Sequence, residues 1–398
     1  MKVLQINIFG NLSTGKIAVD IYRTLKANGH DGMVAFARNK ISEDVPHIII
    51  GSSVDVKLHG LMTRITDKTG LYSKKATKKF IDEIEKYKPD IVHLHNIHGY
   101  YINYEILFRY LKRKKIPVVW TLHDCWTFTG HCAYFDRIGC ERWKTGCHHC
   151  PQKKSYPASY LIDNSSWNYN KKKEIFSDMP NLTIVSVAKW LDNLVGESYL
   201  KNYPRYVFHN GIDLTVFKPT ASYFREQFHL KDRIIILGVA STWDTRKGLA
   251  DFIKLSDLLD DSYQIVVVGS SKKQKNQLPS KIIGIERTND IKELAGLYST
   301  ADIYPNLTYE DVFPTTNLEA LACGTPVLAY ETGGCPEAIN DTCGVIVRKG
   351  DIKEAARTII RMTGKYEEKK CLERAKNFTK EKCFQKYIEL YECILNQV

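Results

Sequence analysis

The chain has 398 residues, 43% of them hydrophobic and 26% charged, which is the balance of a globular protein with two or three domains. It contains no apolar run of about 18 residues that would span a bilayer and no signal-peptide pattern, so we expect a cytoplasmic protein whose 11 cysteines are not paired in disulfides. The net charge of +12 lies entirely in residues 1–205, which hold 31 Lys and Arg against 19 Asp and Glu, whereas residues 206–398 hold 26 of each.

Short apolar runs rich in β-branched residues alternate with helical patterns, which predicts βαβ units and parallel sheets. Because these runs are nearly continuous, the strands should be covered on both faces. The predicted strands are residues 3–9, 33–37, 91–95, 117–122, 182–187, 234–239, 264–268, 282–285, 303–304, 326–329 and 344–347. The predicted helices are residues 17–27, 75–85, 103–112, 249–259, 291–298, 317–322, 352–361 and 381–396.

A domain boundary is predicted between the two sets of strands, where turn-forming residues such as Pro204 and Gly211 cluster. We expect an N-terminal domain over residues 1–204 and a C-terminal domain over residues 205–379. The last helix, within residues 380–398, is expected to join the N-terminal domain.

The most informative stretch runs from Tyr309 to Val327, where a strand end, a loop and a short helix starting near Thr316 follow one another. The free N–H groups of a helix start suit a phosphate-bearing ligand, and open α/β sheets bind ligands at the carboxyl ends of their strands. Asp311 and Glu319 flank this loop. Because carboxylates accept hydrogen bonds from hydroxyls but repel phosphate, both should contact the sugar parts of a ligand.

A second loop follows the strand predicted at residues 234–239 and carries Arg246 and Lys247 at its junction with a helix. Two adjacent cations in this position can neutralise a diphosphate. They would also stabilise negative charge that develops on such a group during a reaction.

These two segments resemble the donor-binding motifs of glycosyltransferase family 4, the retaining, glycogen-synthase-like enzymes with the GT-B fold. The family places two acidic residues in the spacing of Asp311 and Glu319, then a turn like residues 324–327, and it carries an Arg-Lys pair like Arg246 and Lys247. Four further segments resemble the family in the same chain order, namely residues 89–95, 209–219, 299–303 and 333–337.

The resemblance implies an α/β protein of GT-B architecture, with two Rossmann-like doubly wound domains facing each other across a cleft. It implies that Glu319 binds the ribose hydroxyls, that Asp311 faces the donor sugar, and that Arg246 and Lys247 bind the diphosphate. The backbone of the donor loop would approach the sugar and diphosphate at Phe313, Pro314, Thr315 and Thr316.

Two departures from the family pattern leave points open. The first acidic position holds Asp311 where Glu is usual, with Glu310 beside it, so either acid could touch the donor sugar. An Arg that commonly precedes the Lys is replaced by Ser241 and Thr242, so some phosphate contact must come from elsewhere.

His123 lies at the carboxyl end of a predicted strand and matches a His that the family holds near the donor sugar. We assign it the role of orienting that sugar or stabilising the transition state, with a buried structural His as the alternative. Asp124 could orient the His123 ring.

The Gly-rich turn over residues 10–16 follows the first predicted strand and matches the GxxxxGK pattern of a P-loop. Ile17 stands where a P-loop has its Mg²⁺-binding Ser or Thr, which disfavours that interpretation. GT-B enzymes carry a Gly-rich turn here whose backbone N–H groups face the donor phosphate. We therefore assign Gly15 to donor binding.

The resemblance implies a retaining hexosyltransferase that needs no cofactor or metal for catalysis, and no D-x-D motif occurs in a loop suited to a metal-bound nucleotide. The expected partners are a nucleotide-diphosphate sugar and a glycan or polyprenyl-diphosphate-linked acceptor for a capsule, exopolysaccharide or O-antigen. The basic half would face the acceptor or the anionic inner face of the cell membrane, or would be a solvated surface. Nucleic acid is not expected, since no recognition motif accompanies the charge. A GT-B epimerase or phosphorylase and a non-catalytic nucleotide-sugar binder remain alternatives.

One irregular segment, at about residues 124–163, is rich in Cys, Gly, Trp and Tyr. Structural zinc, free thiols and disulfides are all compatible with its cysteines, and Cys125, His131, His148 and His149 could substitute as ligands. The zinc hypothesis predicts about one zinc per chain in metal analysis of the purified protein. Its four candidate thiolate ligands are Cys132, Cys140, Cys147 and Cys150.

Overall fold

The computed structural model describes residues 1–397, which divide into two compact units. The N-unit comprises Met1–His209 and the chain from Cys383 onward, and the C-unit comprises Asn210–Lys382. The last helix begins in the C-unit and continues into the N-unit.

The N-unit is built on a seven-stranded parallel sheet in the order β3-β2-β1-β4-β5-β6-β7. Its strands are β1 (Lys2–Ile6), β2 (Asp31–Phe36), β3 (His47–Ile49), β4 (Ile91–Leu94), β5 (Val118–Leu122), β6 (Leu182–Ser186) and β7 (Arg205–Val207). Its helices are α1 (Thr14–Ala27), α2 (Ser53–Thr66), α3 (Lys74–Tyr87), α4 (Tyr104–Lys114), α5 (Ser165–Phe176) and α6 (Lys189–Glu197).

The C-unit contains two three-stranded parallel sheets, β10-β9-β8 and β11-β12-β13. A parallel bridge between Ile236 and Ile303 links β8 to the start of β11. Its strands are β8 (Ile234–Val239), β9 (Tyr263–Val268), β10 (Ile282–Ile285), β11 (Tyr304–Asn306), β12 (Val327–Tyr330) and β13 (Gly344–Val347). Its helices are α7 (Phe224–Gln227), α8 (Leu249–Leu258), α9 (Lys272–Lys275), α10 (Ile291–Thr300), α11 (Thr315–Ala322), α12 (Ile352–Met362) and α13 (Glu368–Ala375), followed by the final helix α14 (Lys380–Asn396).

The central strands are buried along their whole length, as their continuous apolar runs predicted. Helix α14 completes the N-unit core, because the Tyr391 hydroxyl lies 2.6 Å from His93 Nδ1 and the Thr121 hydroxyl donates to the Tyr387 hydroxyl at 3.1 Å. None of the helices formed by residues 1–397 is both long enough and apolar enough to cross a bilayer.

Helix α2 was missed by the sequence pattern, because its large apolar residues are on the solvent face. Val54, Leu58, Leu61 and Ile65 are 70, 57, 53 and 37% exposed, and we call them the apolar stripe of α2. A local signal was nevertheless available, since Ser52 and Asp55 form a capping box at the helix start.

The irregular segment forms three short 3-10 turns, over Trp126–Phe128, Asp136–Ile138 and Arg142–Lys144. It is fixed to the helical layer by buried polar contacts. His131 is hydrogen-bonded to Asp67 at the end of α2, and Lys172 of α5 donates to the carbonyls of Trp126 and Thr129 at 2.7 and 3.0 Å.

Candidate active site

The donor loop of the C-unit joins β11 to α11. Its helix starts at Thr315 after Pro314, and no side chain caps that end. The Asn317 amide donates to the Pro314 carbonyl at 3.3 Å, whereas the amides of Thr315 and Thr316 precede the first intrahelical acceptor. The loop is fixed from beneath by Asn317, whose side chain accepts from Asn306 at 2.7 Å and donates to the Cys335 carbonyl at 3.3 Å. Buried Asn317 therefore anchors the first turn, which presents the amides of the partly exposed Thr315 and Thr316.

Glu319 lies one turn into α11 and is held by two hydroxyls. Tyr298 donates to its Oε2 at 2.9 Å and Thr315 donates to its Oε1 at 3.3 Å. Burial next to this carboxylate raises the pKa of Tyr298 well above its usual value, so Tyr298 stays protonated and donates. Because a carboxylate oxygen has two lone pairs, the partly exposed Glu319 is suited to accept bonds from ligand hydroxyls.

Arg246 and Lys247 lie on the loop before α8, beside the donor loop. The Arg246 carbonyl accepts from the Tyr309 amide at 2.6 Å and from the Thr308 hydroxyl at 3.1 Å. The Lys247 ammonium donates to Asp311 at 2.6 Å. These bonds bring two segments that are far apart in sequence into direct contact.

Arg246 is oriented by Asp244, which accepts from its Nε at 3.1 Å and its Nη2 at 2.7 Å. Burial alone would raise the pKa of Asp244, but the hydrogen bonds and charge of Arg246 outweigh burial and lower it. The guanidinium is thus held in one plane while about a third of its side chain stays exposed.

The two neighbouring acids of the donor loop have different environments. Asp311 is partly exposed and paired with Lys247, whereas Glu310 is only 3% exposed. The structure therefore places Asp311, rather than Glu310, at the surface of the loop.

Gly248 allows the contact between the two loops. It has φ 77°, and a Cβ at this position would lie 2.1 Å from the Leu307 carbonyl oxygen. Any side chain there would push the Arg246–Lys247 loop away from β11.

In the N-unit, His123 follows β5 and is held by His95, not by Asp124 as the sequence suggested. His123 Nε2 lies 3.0 Å from His95 Nδ1, and the rings stack with centroids 5.3 Å apart. His95 Nε2 lies 3.1 Å from Gln5 Oε1, while the Gln5 amide nitrogen donates to the Ala18 carbonyl at 2.7 Å.

This chain of contacts fixes the proton positions. Because Gln5 Oε1 can only accept, His95 donates through Nε2 and accepts from His123 at Nδ1. Burial is the main cause that lowers the pKa of His123 to about 4, and it holds that of His95 well below its usual value. Neutral His123 then carries its proton on Nε2, and its Nδ1 is a hydrogen-bond acceptor.

Asp124 instead orients His98, a residue that the sequence analysis missed. Asp124 Oδ2 lies 2.8 Å from His98 Nε2, and His98 Nδ1 lies 3.0 Å from the Tyr156 hydroxyl. The other Asp124 oxygen accepts from the Trp126 amide at 2.9 Å. The only sequence signal was the recurrence of His within and just after β4, at positions 93, 95 and 98.

Gly15 lies in the first turn of α1, where a Cβ would come within 2.6 Å of the Phe9 carbonyl oxygen. Lys16 is exposed to solvent. Close packing against the Phe9 carbonyl therefore explains why this position is a glycine. The role of Gly15 in donor binding stays a prediction.

The four candidate zinc ligands line one small cavity of the irregular segment, together with Trp143. The Cys147 sulfur accepts from the Gly130 amide at 3.1 Å, and a hydrogen bond from the Cys132 thiol lowers the pKa of Cys150 to about 7. Within residues 1–397, however, no three His, Cys, Asp or Glu side chains are arranged to hold a metal ion. Zinc binding stays a prediction that metal analysis can test.

Comparison with known proteins follows the same division of the chain. Residues 14–216 match the family Glycosyltransferase Family 4, and residues 221–381 match Glycosyl transferases group 1. The chain belongs to glycosyltransferase family 4. The membership expected from Arg246, Lys247, Asp311 and Glu319 is confirmed.

Solved structures show the fold of this family 4 member. The chain superimposes over its full length on sucrose-phosphate synthase of Thermosynechococcus elongatus, with TM-score 0.73, 16% identity and 100% of each chain covered. Anabaena HepE, solved with UDP, gives TM-score 0.68 and 14% identity over 99% of this chain and 100% of HepE. The expected GT-B fold is confirmed.

Among curated proteins, the chain is 26% identical over 273 residues to the putative colanic acid biosynthesis glycosyl transferase WcaC of Escherichia coli. That match covers 66% of this chain and 65% of WcaC. A Campylobacter jejuni N-acetylgalactosaminyltransferase acting on a diphospho-undecaprenol-linked sugar is 24% identical over 51% of this chain and 54% of its own length. The chain thus spans less than two thirds of these relatives.

Proposed function

We propose that this chain is a retaining glycosyltransferase of cell-surface polysaccharide biosynthesis. It moves a sugar from a nucleotide-diphosphate sugar to a glycan or polyprenyl-diphosphate-linked acceptor. The observation that carries the proposal is the Lys247–Asp311 contact, which holds the cationic loop against the donor loop at the start of α11. The names of WcaC and of the Campylobacter enzyme, together with the UDP bound to HepE, support it.

Different residues of the C-unit bind the diphosphate, the ribose and the sugar of the donor. Arg246 and Lys247 bind the diphosphate, joined by the free amides of Thr315 and Thr316. Glu319, held by the Tyr298 and Thr315 hydroxyls, accepts from ribose hydroxyls. Asp311 accepts from the donor sugar while its ion pair keeps Lys247 in place.

The reaction proposed needs no covalent enzyme intermediate. The bond between the anomeric carbon and the diphosphate oxygen breaks, and the acceptor hydroxyl bonds to the same face of that carbon. The departing phosphate oxygen takes the proton of this hydroxyl, so configuration is retained. Arg246 and Lys247 stabilise the negative charge of the leaving group, which is the role a metal has in other transferases, and catalysis is proposed to be metal-independent.

In the N-unit, His123 contributes a neutral acceptor. Its Nδ1 lacks a proton because Nε2 donates to His95, so it can accept from a hydroxyl of the donor sugar. A pKa of about 4 keeps the ring neutral at physiological pH, which avoids repulsion with a carbon that gains positive charge.

Peripheral contact with an anionic membrane is proposed for the apolar stripe of α2. Four large apolar side chains at helical spacing face solvent there, beside the exposed cations Lys57 and Arg64. Apolar residues flanked by cations suit a bilayer with anionic headgroups. Co-sedimentation with phosphatidylglycerol vesicles should be lost in Leu58→Glu and retained in Lys79→Gln.

A donor-hydrolysis assay tests the central proposal. Nucleotide sugars that raise the melting temperature at low concentration are first identified, because a specific ligand stabilises the folded state. Wild type should then release nucleotide from that donor, whereas Glu319→Ala should not, and the exposed-acid control Glu286→Ala should behave as wild type. A chain that binds the donor but never releases nucleotide is a binding protein, and the proposal would fail.

A further inference from the structure

A further pocket lies in the N-unit between the end of β2 and helix α2. Its volume is about 480 Å³. Arg38 reaches it from the residues after β2, Lys57 and Arg64 from α2, and Tyr100 from the segment after β4. None of the residues assigned above to donor binding or to the His123 chain lines it.

The pocket is cationic and its charges are not neutralised. No Asp or Glu lines it, and within residues 1–397 neither arginine nor Lys57 has a carboxylate oxygen within 4.0 Å. Arg38 Nη2 donates to the Gly99 carbonyl at 3.0 Å, but the buried Arg38 Nε has no hydrogen-bond partner in the described chain. An unpartnered buried donor beside two further cations is what an anion would satisfy.

Tyr100 holds the two arginines around the pocket. Its ring centroid lies 5.8 Å from the Arg38 guanidinium carbon and 5.9 Å from that of Arg64. Tyr100 has φ 73°, a conformation that costs a non-glycine residue energy and concentrates at binding sites. Gly60 keeps the space open, since a Cβ there would lie 3.1 Å from Arg64 Nη1.

A continuous path of contacts joins this pocket to the residue next to His123. The Tyr100 and Tyr156 rings lie 6.1 Å apart, the Tyr156 hydroxyl lies 3.0 Å from His98, and His98 lies 2.8 Å from Asp124. Arg38, Tyr100 and His123 also follow the parallel strands β2, β4 and β5, so the pocket and His123 lie at the same edge of the N-unit sheet.

We propose that Arg38, Lys57, Arg64 and Tyr100 form a subsite for a phosphate or diphosphate group of the acceptor. This inference rests on the proposed glycosyl transfer and specifies its acceptor as an anionic one. Guanidinium groups pair with phosphate oxygens through two parallel hydrogen bonds, and Lys57 adds a mobile charge at the mouth.

The phosphate could belong to a lipid-linked or a free acceptor. The apolar surface beside the pocket would contact the lipid of the first but not the second. The apolar stripe of α2 follows the pocket-lining residues by one position along the helix, so it runs directly beside the cations. A prenyl chain could lie along this stripe, whereas a free phosphorylated sugar would leave it uncovered.

The test is a calorimetric titration of the full chain with inorganic pyrophosphate and with geranyl diphosphate. All proteins carry Arg246→Gln and Lys247→Gln, so that the donor-side cations contribute little. Addition of Arg64→Gln should weaken both ligands about tenfold, since one charge-assisted hydrogen-bond donor pair is lost. Lys57→Gln provides a second, exposed variant that should also weaken them, and Lys79→Gln is the matched control on α3.

The outcomes distinguish a lipid-linked from a free phosphorylated acceptor, and failure of the subsite from failure of the proposed function. Tighter binding of geranyl diphosphate, with that advantage lost in Leu61→Ser, identifies a lipid-linked acceptor, and equal binding of the two ligands identifies a free phosphorylated one. Affinities in Arg64→Gln and Lys57→Gln equal to those in Lys79→Gln overturn the subsite. If wild type still hydrolyses its nucleotide sugar in that case, only the subsite is wrong and the proposed function stands.

Discussion

In the C-unit, Arg246, Lys247 and Asp311 are charged and partly exposed, whereas in the N-unit His95 and His123 are buried and neutral. The C-unit groups come from two short loops, each with its own local sequence pattern. The N-unit histidines follow β4 and β5, and Gln5, which accepts from His95, lies in β1. The difference shows that a local sequence pattern predicts which charged residues form a site. The protonation state of a histidine depends instead on residues that folding brings together.

The largest effect is expected from reversing the charge of the loop before α8. Arg246→Glu combined with Lys247→Glu should lower kcat/KM at least about 10³-fold, because the leaving group loses its stabilising cations. Steady-state kinetics with the identified donor measures the loss, and Lys353→Glu, an exposed lysine of α12, is the control. Turnover that survives the reversal would show that the diphosphate binds elsewhere.

Removal of the neutral His123 ring tests the N-unit part of the comparison. His123→Ala should lower kcat by about 10²-fold with little change in donor KM, since the contact is expected to strengthen in the transition state. His47→Ala, on edge strand β3, should leave both constants unchanged. An increase in donor KM with unchanged kcat would contradict the assignment and make His123 a ground-state binding residue.

The neutral state of the buried histidines predicts a pH dependence of stability. The His123 pKa falls from 6.5 unfolded to about 4 folded, so between these values the unfolded chain binds more protons. Stability is therefore full above pH 6.5 and is lost as pH falls towards 4, by about 3 kcal/mol for this group.

Urea unfolding followed by tryptophan fluorescence measures this loss in the N-unit, because Trp243 is the single tryptophan of the C-unit among six in the chain. His123→Gln should flatten the pH dependence. An N-unit equally stable at pH 7 and pH 5 would mean that the buried rings are not held neutral.

The smallest expected effect concerns the glycine between the two C-unit loops. Gly248→Ala should destabilise the C-unit by about 2 kcal/mol and weaken donor binding, because the new Cβ meets a carbonyl oxygen as well as an unfavourable φ. Gly364→Ala shares the positive φ, at 67°, but no atom lies within 4 Å of its Cβ. If both variants lose the same free energy of unfolding, the close approach of Gly248 to the Leu307 carbonyl does not contribute to the loss.

Much of the fold was predictable because the buried strands are apolar and continuous. Strands β8, β10 and β13 have the predicted bounds, and most others differ by one to three residues at an end. Strands β3 and β7 were missed because each has only three residues. Helix α2 was missed because its large apolar residues are exposed, and helices α5, α6 and α13 were missed as well.

The sequence by itself determined the family, the GT-B fold and the identity of Arg246, Lys247, Asp311 and Glu319 as candidates, because each lies in a motif of neighbouring residues. Only the tertiary structure decided that His95 rather than Asp124 holds His123, that Asp124 orients His98, and that the cations around Tyr100 share one pocket. These contacts join positions tens of residues apart, and hydrogen bonding between such positions depends on strand order and burial, which no local pattern encodes.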